Sequence, residues 1–290
     1  MSEHDISLNK KNIKEQHMLM VKNFFKNKLA VAGLIIVVIF GIAAIIAPLI
    51  TRYDPYEMEI THRLATPSAA HFWGTDDFGR DLWSRVLYGL RSSLCVGFVI
   101  AAVSGVIGMV LGLLTGYFPK FDLIMMRLIE GIMAIPSMLM AIALMAALGA
   151  TVTNVIISLI IVYVPSVAKI ARGSVLSVKE MTYVEAVRSK GAGWARILFK
   201  HIAPNVISPV IVQVTYIFAA AILTESSLSF LGVGIPAPEP SLGNILSEAK
   251  AVIHNSWWMT VFPAITMLAT VVGINILGDG IRDVLDPLSN

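Results

Sequence analysis

Charge is what this chain has least of. Only 14% of its 290 residues are Asp, Glu, Lys or Arg, against about 25% in an ordinary soluble domain. A single cysteine, Cys95, excludes an intramolecular disulfide and any cysteine-based metal site. Among apolar neighbours it reads as a small buried hydrophobe rather than a reactive thiol. No G-x-x-x-x-G-K-[ST] stretch occurs, so there is no Walker loop to cradle nucleotide phosphates. An HExxH helix and a G-x-S-x-G elbow are also missing, and His4, His17, His62, His71, His201 and His254 follow no metal-ligand spacing. The expectation is a protein that is not an enzyme and holds no cofactor or metal of its own.

What the chain has instead is apolar length. With 56% hydrophobic residues and a mean hydropathy of +0.76, it reads as one bundle of membrane spans. Residues 29–50 and 92–116 carry no charge, and a helix needs about 20 apolar residues to cross the hydrocarbon core. The stretch 131–168 is also uncharged. As one straight helix it would reach about 57 Å, nearly twice the core thickness, so it must fold back. "GATVTN" at 149–154 is the turn. Six transmembrane helices are expected, at about 29–50, 92–116, 128–149, 153–171, 204–224 and 258–278, with kinks at Pro136 and Pro165.

Lys and Arg in the flanking loops set the orientation. The tail 1–28 carries Lys10, Lys11, Lys14, Lys22, Lys26 and Lys28, which places both termini in the cytoplasm. Its end, "HMLMVKNFFKNK" at 17–28, suits an interfacial helix. The first apolar run is too long for a signal-peptide core, so it reads as a retained helix. The loop 172–203 then falls inside, with Arg172, Lys179, Arg188, Lys190, Arg196 and Lys200 against Glu180 and Glu185. Loops 51–91 and 225–257 fall outside. Arg52, Arg63, Arg80, Arg85 and Arg91 in the first of these run against the rule. Within it, 77–91 reads as an interfacial helix, and "NSWWM" at 255–259 as an aromatic anchor.

The inside loop is patterned beyond what a topology signal requires. Residues 180–190 read as a short helix with Thr182 as N-cap, and Glu185 and Arg188 are spaced to pair. Gly191 and Gly193 end it, a second amphipathic piece covers 194–202, and Pro204 marks entry into the fifth span. A short projecting helix of this kind fits a groove on a soluble partner. Elsewhere, Gly105, Gly108, Gly112 and Gly116 give small-xxx-small spacing for close helix packing, inside the bundle or against a partner. Gln213, Thr215, Tyr216 and Asn275 are polar residues within spans, either path-lining or interhelical hydrogen bonders. Arg127 and Glu130 are spaced to pair, as a structural contact or as a proton relay.

"EAVRSKG" followed by "HIAPN" resembles the EAA loop of ABC importer permeases. Glu185, Ala186, Gly191 and Pro204 match its pattern, and Val187 stands where alanine is usual. "HFWGTDDFGRDLWSRVLYGLRSSL" at 71–94, "ESSLSFLGVGIPAPEPSLGNIL" at 225–246 and "GDGIRDVLDP" at 278–287 are similar to the second permease of dipeptide, oligopeptide and nickel importers. Leu242 replaces a usual tryptophan, and Leu288 stands where arginine is common. The resemblance implies an all-α type I importer permease of a bacterial or archaeal cell membrane. It also implies partners: a second homologous permease, two ATPase subunits carrying ATP and magnesium, and an extracytoplasmic binding protein, with no nucleic acid. Tyr183, Glu185, Ala186, Arg188 and Gly191 become the candidate ATPase-docking residues. The implied cargo is dipeptides or oligopeptides, with nickel or another small solute as the alternative and ion-coupled secondary transport as a more distant one.

Overall fold

A computed structural model describes Lys22 and residues 24–285. The basic tail with Lys10, Lys11 and Lys14, the approach at 17–21 and the last five residues lie outside them. Among the described residues the regular structure is helical, with one isolated β-bridge between Thr75 and Asp81 and irregular backbone over most of 51–81 and 231–241. Five helices are long and apolar enough to cross a membrane. We name them with their neighbours in chain order: α1 (Lys28–Ile50), α2 (Leu82–Tyr117), α3 (Pro119–Met133), α4 (Ser137–Leu148), α5 (Val152–Val178), α6 (Thr182–Ser189), α7 (Trp194–Phe230), α8 (Leu242–Ala249) and α9 (Trp258–Leu285).

The sixth crossing is the broken pair α3–α4, bent by 91°. Pro136 explains the break, because proline lacks the N–H and clashes with the preceding turn. The count of six follows from glycine contacts. A Cβ on Gly108 would meet Val167 at 2.5 Å, one on Gly112 would meet Ala171 at 2.4 Å, and one on Gly116 would meet Val175 at 2.5 Å. The constant offset means that α2 and α5 run parallel. The chain must therefore return between them, and α3–α4 is the return. The small-residue ridge packs inside the bundle, which resolves the choice left open by its spacing.

The pairs α1–α9 and α2–α7 are antiparallel. Gly33 and Gly280 set α1 against α9, where added Cβ atoms would meet Leu277 N at 2.7 Å and Ala30 Cβ at 2.3 Å. Asn27 caps α1 through Leu29 N and Ala30 N, and its amide donates to Asp283 at 3.0 Å. Gly97 and Gly105 of α2 face Ile222 and Val214 of α7. Lys28, Leu285 and α6 consequently share one end of the bundle. At the return turn, Thr151 caps α5 while Asn154 Nδ2 donates to the Leu148 and Gly149 carbonyls at 2.7 and 3.0 Å.

The opposite end departs from expectation. Residues 82–117 form one helix, not an interfacial helix followed by a span, because no breaker separates 91 from 92. Leu82, Val86 and Leu90 are buried against Leu242, Ile245 and Trp258. Trp258 is no surface anchor: its indole donates to Thr75 O at 3.2 Å inside the core. Arg80 and Arg85 are buried between Asp76 and Glu248, with Arg80 Nε 2.6 Å from Asp76 and both guanidinium groups reaching Glu248. Arg63 pairs with Asp77. Three of the five arginines that sat awkwardly with the charge rule thus have carboxylate partners at their own end. Cys95 is exposed on α2, not buried as its apolar neighbours imply.

Candidate functional site: a docking helix and a cleft

The loop after α5 folds as a short helix, a turn and a second helix. Helix α6 begins at Thr182, and Met181, not Thr182, occupies the N-cap without a side-chain bond. The other end carries the capping the glycines imply. Gly191 N–H donates to Arg188 O at 2.9 Å and Ala192 N–H to Val187 O at 3.4 Å, the paired bonds of a Schellman motif. Gly191 takes φ +78°, a left-handed conformation that only glycine adopts without strain. Gly193 needs no such freedom, having φ −66°.

One face of α6 is anchored and the other is free. Val184 is fully buried, with Ile197, Leu198, Ile202 and Val206 of α7 and Val175 and Val178 of α5 in the same cluster. Leu113 of α2 belongs to it too. Tyr183, Glu185, Ala186, Arg188 and Gly191 are all exposed. Among the described residues, no ion pair joins Glu185 to Arg188, so both charges face outward. Tyr183 has a second duty. Its hydroxyl donates to His201 O at 3.2 Å and accepts from Asn205 Nδ2 at 3.1 Å, tying α6 to the start of α7. Asn205 also donates to His201 O at 2.9 Å, a role invisible in a surface asparagine.

Pro204 does not open a new helix. Helix α7 runs continuously from Trp194, with a wide-turn segment at Ile197–Ile202 just before the proline. A π turn of this kind accommodates a residue that has no N–H to give. Trp194 packs edge-on to Phe118, ring centroids 5.4 Å apart, and Lys179 Nζ donates to Gly116 O at 3.2 Å. The segment from α6 to the start of α7 therefore touches α2 and α5 as well.

Further along the bundle, Gln213 and Tyr216 line two clefts. One, of about 400 Å³, lies between α3–α4, α5 and α7 and includes Met133, Pro136, Tyr163 and Ser166. The other, of about 460 Å³, includes Pro209, Val212 and Arg282. Tyr216 donates to Asp279 at 2.5 Å. Thr215 turns away: its hydroxyl donates to Val212 O and packs toward Gly278 of α9. Asn275 is half-buried on α9 and lines neither cleft. The expected Arg127–Glu130 pair is not formed, and both residues are exposed. Instead Arg172 of α5 grips Asp122 of α3 with two bonds of 2.5 and 2.6 Å. Glu225, which the apolar run places at the mouth of an outer loop, sits inside α7 and is fully buried, accepting from Ser93 and Ser229 at 2.8 Å each. At the far end the structure gathers Glu59, His62 and His71, which their spacing in the chain does not announce.

Comparison with known proteins gives consistent results. Residues 105–289 match the family described as "Binding-protein-dependent transport system inner membrane component". Residues 18–67 match "N-terminal TM domain of oligopeptide transport permease C". The chain is 42% identical over 267 residues to the dipeptide transport system permease protein DppC of Alkalihalophilus pseudofirmus, covering 92% of this chain and 88% of that one. It is 40% identical over 265 residues to the oligopeptide transport system permease protein OppC of Bacillus subtilis, covering 91% and 87%. Among solved structures, an amino acid ABC transporter with histidines shares the fold at TM-score 0.55 and 17% identity, over 68% of this chain and 92% of that one.

Proposed function

Since the chain belongs to the binding-protein-dependent transport system inner membrane components, we propose that it is the multi-pass permease subunit of an ATP-driven importer of dipeptides or oligopeptides. One observation carries the mechanism: α6 exposes Glu185, Ala186 and Arg188 while Val184 is locked into a core shared by α2, α5 and α7. A helix held on one face and free on the other transmits force from a partner to the bundle. In this reading its free face sits in a groove of an ATPase subunit on the cytoplasmic side, where both chain termini also lie. ATP and magnesium belong to two such subunits, and hydrolysis takes place there.

Closure of the ATPase pair pushes on α6. Val184, the Tyr183–Asn205 link and the Trp194–Phe118 contact pass the motion to α5, α7 and α2. Packed helices answer by rocking rather than bending, which is how alternating access operates. In this reading a second, homologous permease completes the route for cargo alongside the clefts that Gln213 and Tyr216 line. Peptide cargo rests on the names of the relatives and on the same branch resemblance in the loops. An extracytoplasmic binding protein would deliver it to the end formed by 51–81 and 231–257.

The test is uptake of a radiolabelled dipeptide by cells carrying Glu185→Lys. Uptake is lost while the permease remains at normal levels in the membrane. Normal uptake by this variant overturns the coupling assignment.

A further inference from the structure

The loop between α1 and α2 holds a cluster that the transport cycle does not use. Glu59, His62 and His71 each offer a ligand atom, and these atoms all lie within 4.8 Å of one another. We propose that they form a binding site for a divalent zinc ion, with water in the fourth position.

Geometry and chemistry both favour zinc. Two imidazoles and one carboxylate with an open position are an established donor set for this ion. In tetrahedral coordination with metal–ligand bonds of about 2.0–2.1 Å, ligand atoms sit about 3.3–3.4 Å apart. Glu59 Oε2 and His62 Nδ1 are already 3.1 Å apart. The widest separation must shrink by about 1.4 Å from its bound of 4.8 Å to reach that spacing. Rotation of the Glu59 and His62 side chains, both about half exposed, accommodates this.

His71 is prepared for the role. It is 5% exposed, and its Nδ1 lies 3.0 Å from Asp81 Oδ1. A proton on Nδ1 donated to Asp81 leaves the ring's lone pair on Nε2, the arrangement that orients most metal-bound histidines. Tyr53 stacks on the ring at 4.7 Å, fixing its plane.

The backbones under the ligands are held as well. A Cβ on Gly79 would lie 1.9 Å from Glu59 O, so the 76–80 turn presses directly on Glu59. Thr75 Oγ1 donates to His62 O and accepts from Ala65 N. His71 exchanges bonds with Ser68, donating to its hydroxyl at 3.1 Å and accepting from its N–H at 2.8 Å. Asp81, behind His71, is also the N-cap of α2, accepting from Ser84 N at 2.8 Å. Zinc here would staple residues 59–71 to the start of α2, through His71 and the Asp81 cap.

The experiment uses the full-length permease in mild detergent, purified without a polyhistidine tag and stripped of metal. Zinc alone is titrated against a chromophoric chelator, and melting temperature is read with and without zinc. One zinc per chain and a raised melting temperature are expected for the native protein. His62→Ala and Glu59→Gln, at exposed positions that leave the metal-free fold intact, lower the affinity at least tenfold and abolish the thermal shift. Asp81→Asn, which keeps a capping oxygen, weakens zinc by about 10- to 100-fold through His71. Absence of stoichiometric zinc, or zinc held equally well by His62→Ala and Glu59→Gln, overturns the proposal.

Discussion

Truncating Val184 to alanine should loosen α6 without touching its exposed face. Val184 is fully buried in the cluster that joins α6 to α5 and α7. The change removes two carbons at about 0.8 kcal/mol each, and the cavity left behind brings the total to roughly 2–3 kcal/mol. A local opening equilibrium rises about 30-fold for 2 kcal/mol. The assay is amide hydrogen exchange on the purified permease, reported for the peptide spanning 182–192, alongside ATPase activity and uptake in the reconstituted complex. Val184→Ala should speed exchange in that peptide about 30-fold while leaving α1 and α9 unchanged. In the complex, ATP hydrolysis per cargo moved should rise, because a loosened lever turns without pulling. Glu185→Lys is the matched control: it should leave exchange in the permease alone unaltered and abolish coupling. If Val184→Ala leaves both exchange and coupling at native values, α6 is not held by its buried face, and the reasoning fails.

Other perturbations separate the remaining parts. Gly191→Ala places a Cβ at φ +78°, costing about 1–2 kcal/mol; faster exchange at the Gly191 and Ala192 amides would register the loss of the Schellman bonds. Gly112→Val sets a Cβ 2.4 Å from Ala171 Cβ and 2.7 Å from Ala168 O. Overpacking of about 1–3 kcal/mol or more should follow, read as a lower melting temperature and reduced membrane yield. Tyr56 donates to Glu239 at 2.9 Å, and burial followed by that carboxylate pushes its hydroxyl up to about 12 from 10.0. Because the folded value is the higher one, the tether is complete below pH 10.0 and is lost as pH rises toward about 12. An ultraviolet difference titration should show one fewer late-ionising tyrosine in Tyr56→Phe than in the native protein.

The uncharged runs and the return turn at 149–154 were legible because apolar length and turn residues act locally. So was the short helix α6, whose end at Gly191 takes the left-handed backbone that a glycine stop implies. Arg85 shows why the outer loop was harder. It resembles a snorkelling residue on an interfacial helix until Glu248, 163 residues away, arrives to pair with it. Trp258 is misleading in the same way, since the Thr75 carbonyl that satisfies its indole lies 183 residues back. Glu225 reads as a loop charge because the serine hydroxyls that hold it come partly from α2. Polarity within a span singled out Gln213 and Tyr216 together with Thr215, and could not show that helix phase turns Thr215 toward α9 while the other two line the clefts. Long-range partners decide such cases, and one chain's spacing does not encode them.

The central claim is that this chain works as one permease among ATPase partners docked on α6. Purifying the tagged chain in a gentle detergent, and identifying stoichiometric companions by mass spectrometry, tests it directly. The account predicts a homologous permease and two Walker-motif ATPases with the native chain. The ATPases should drop out with Glu185→Lys. A chain that purifies alone, or only with copies of itself, would contradict it.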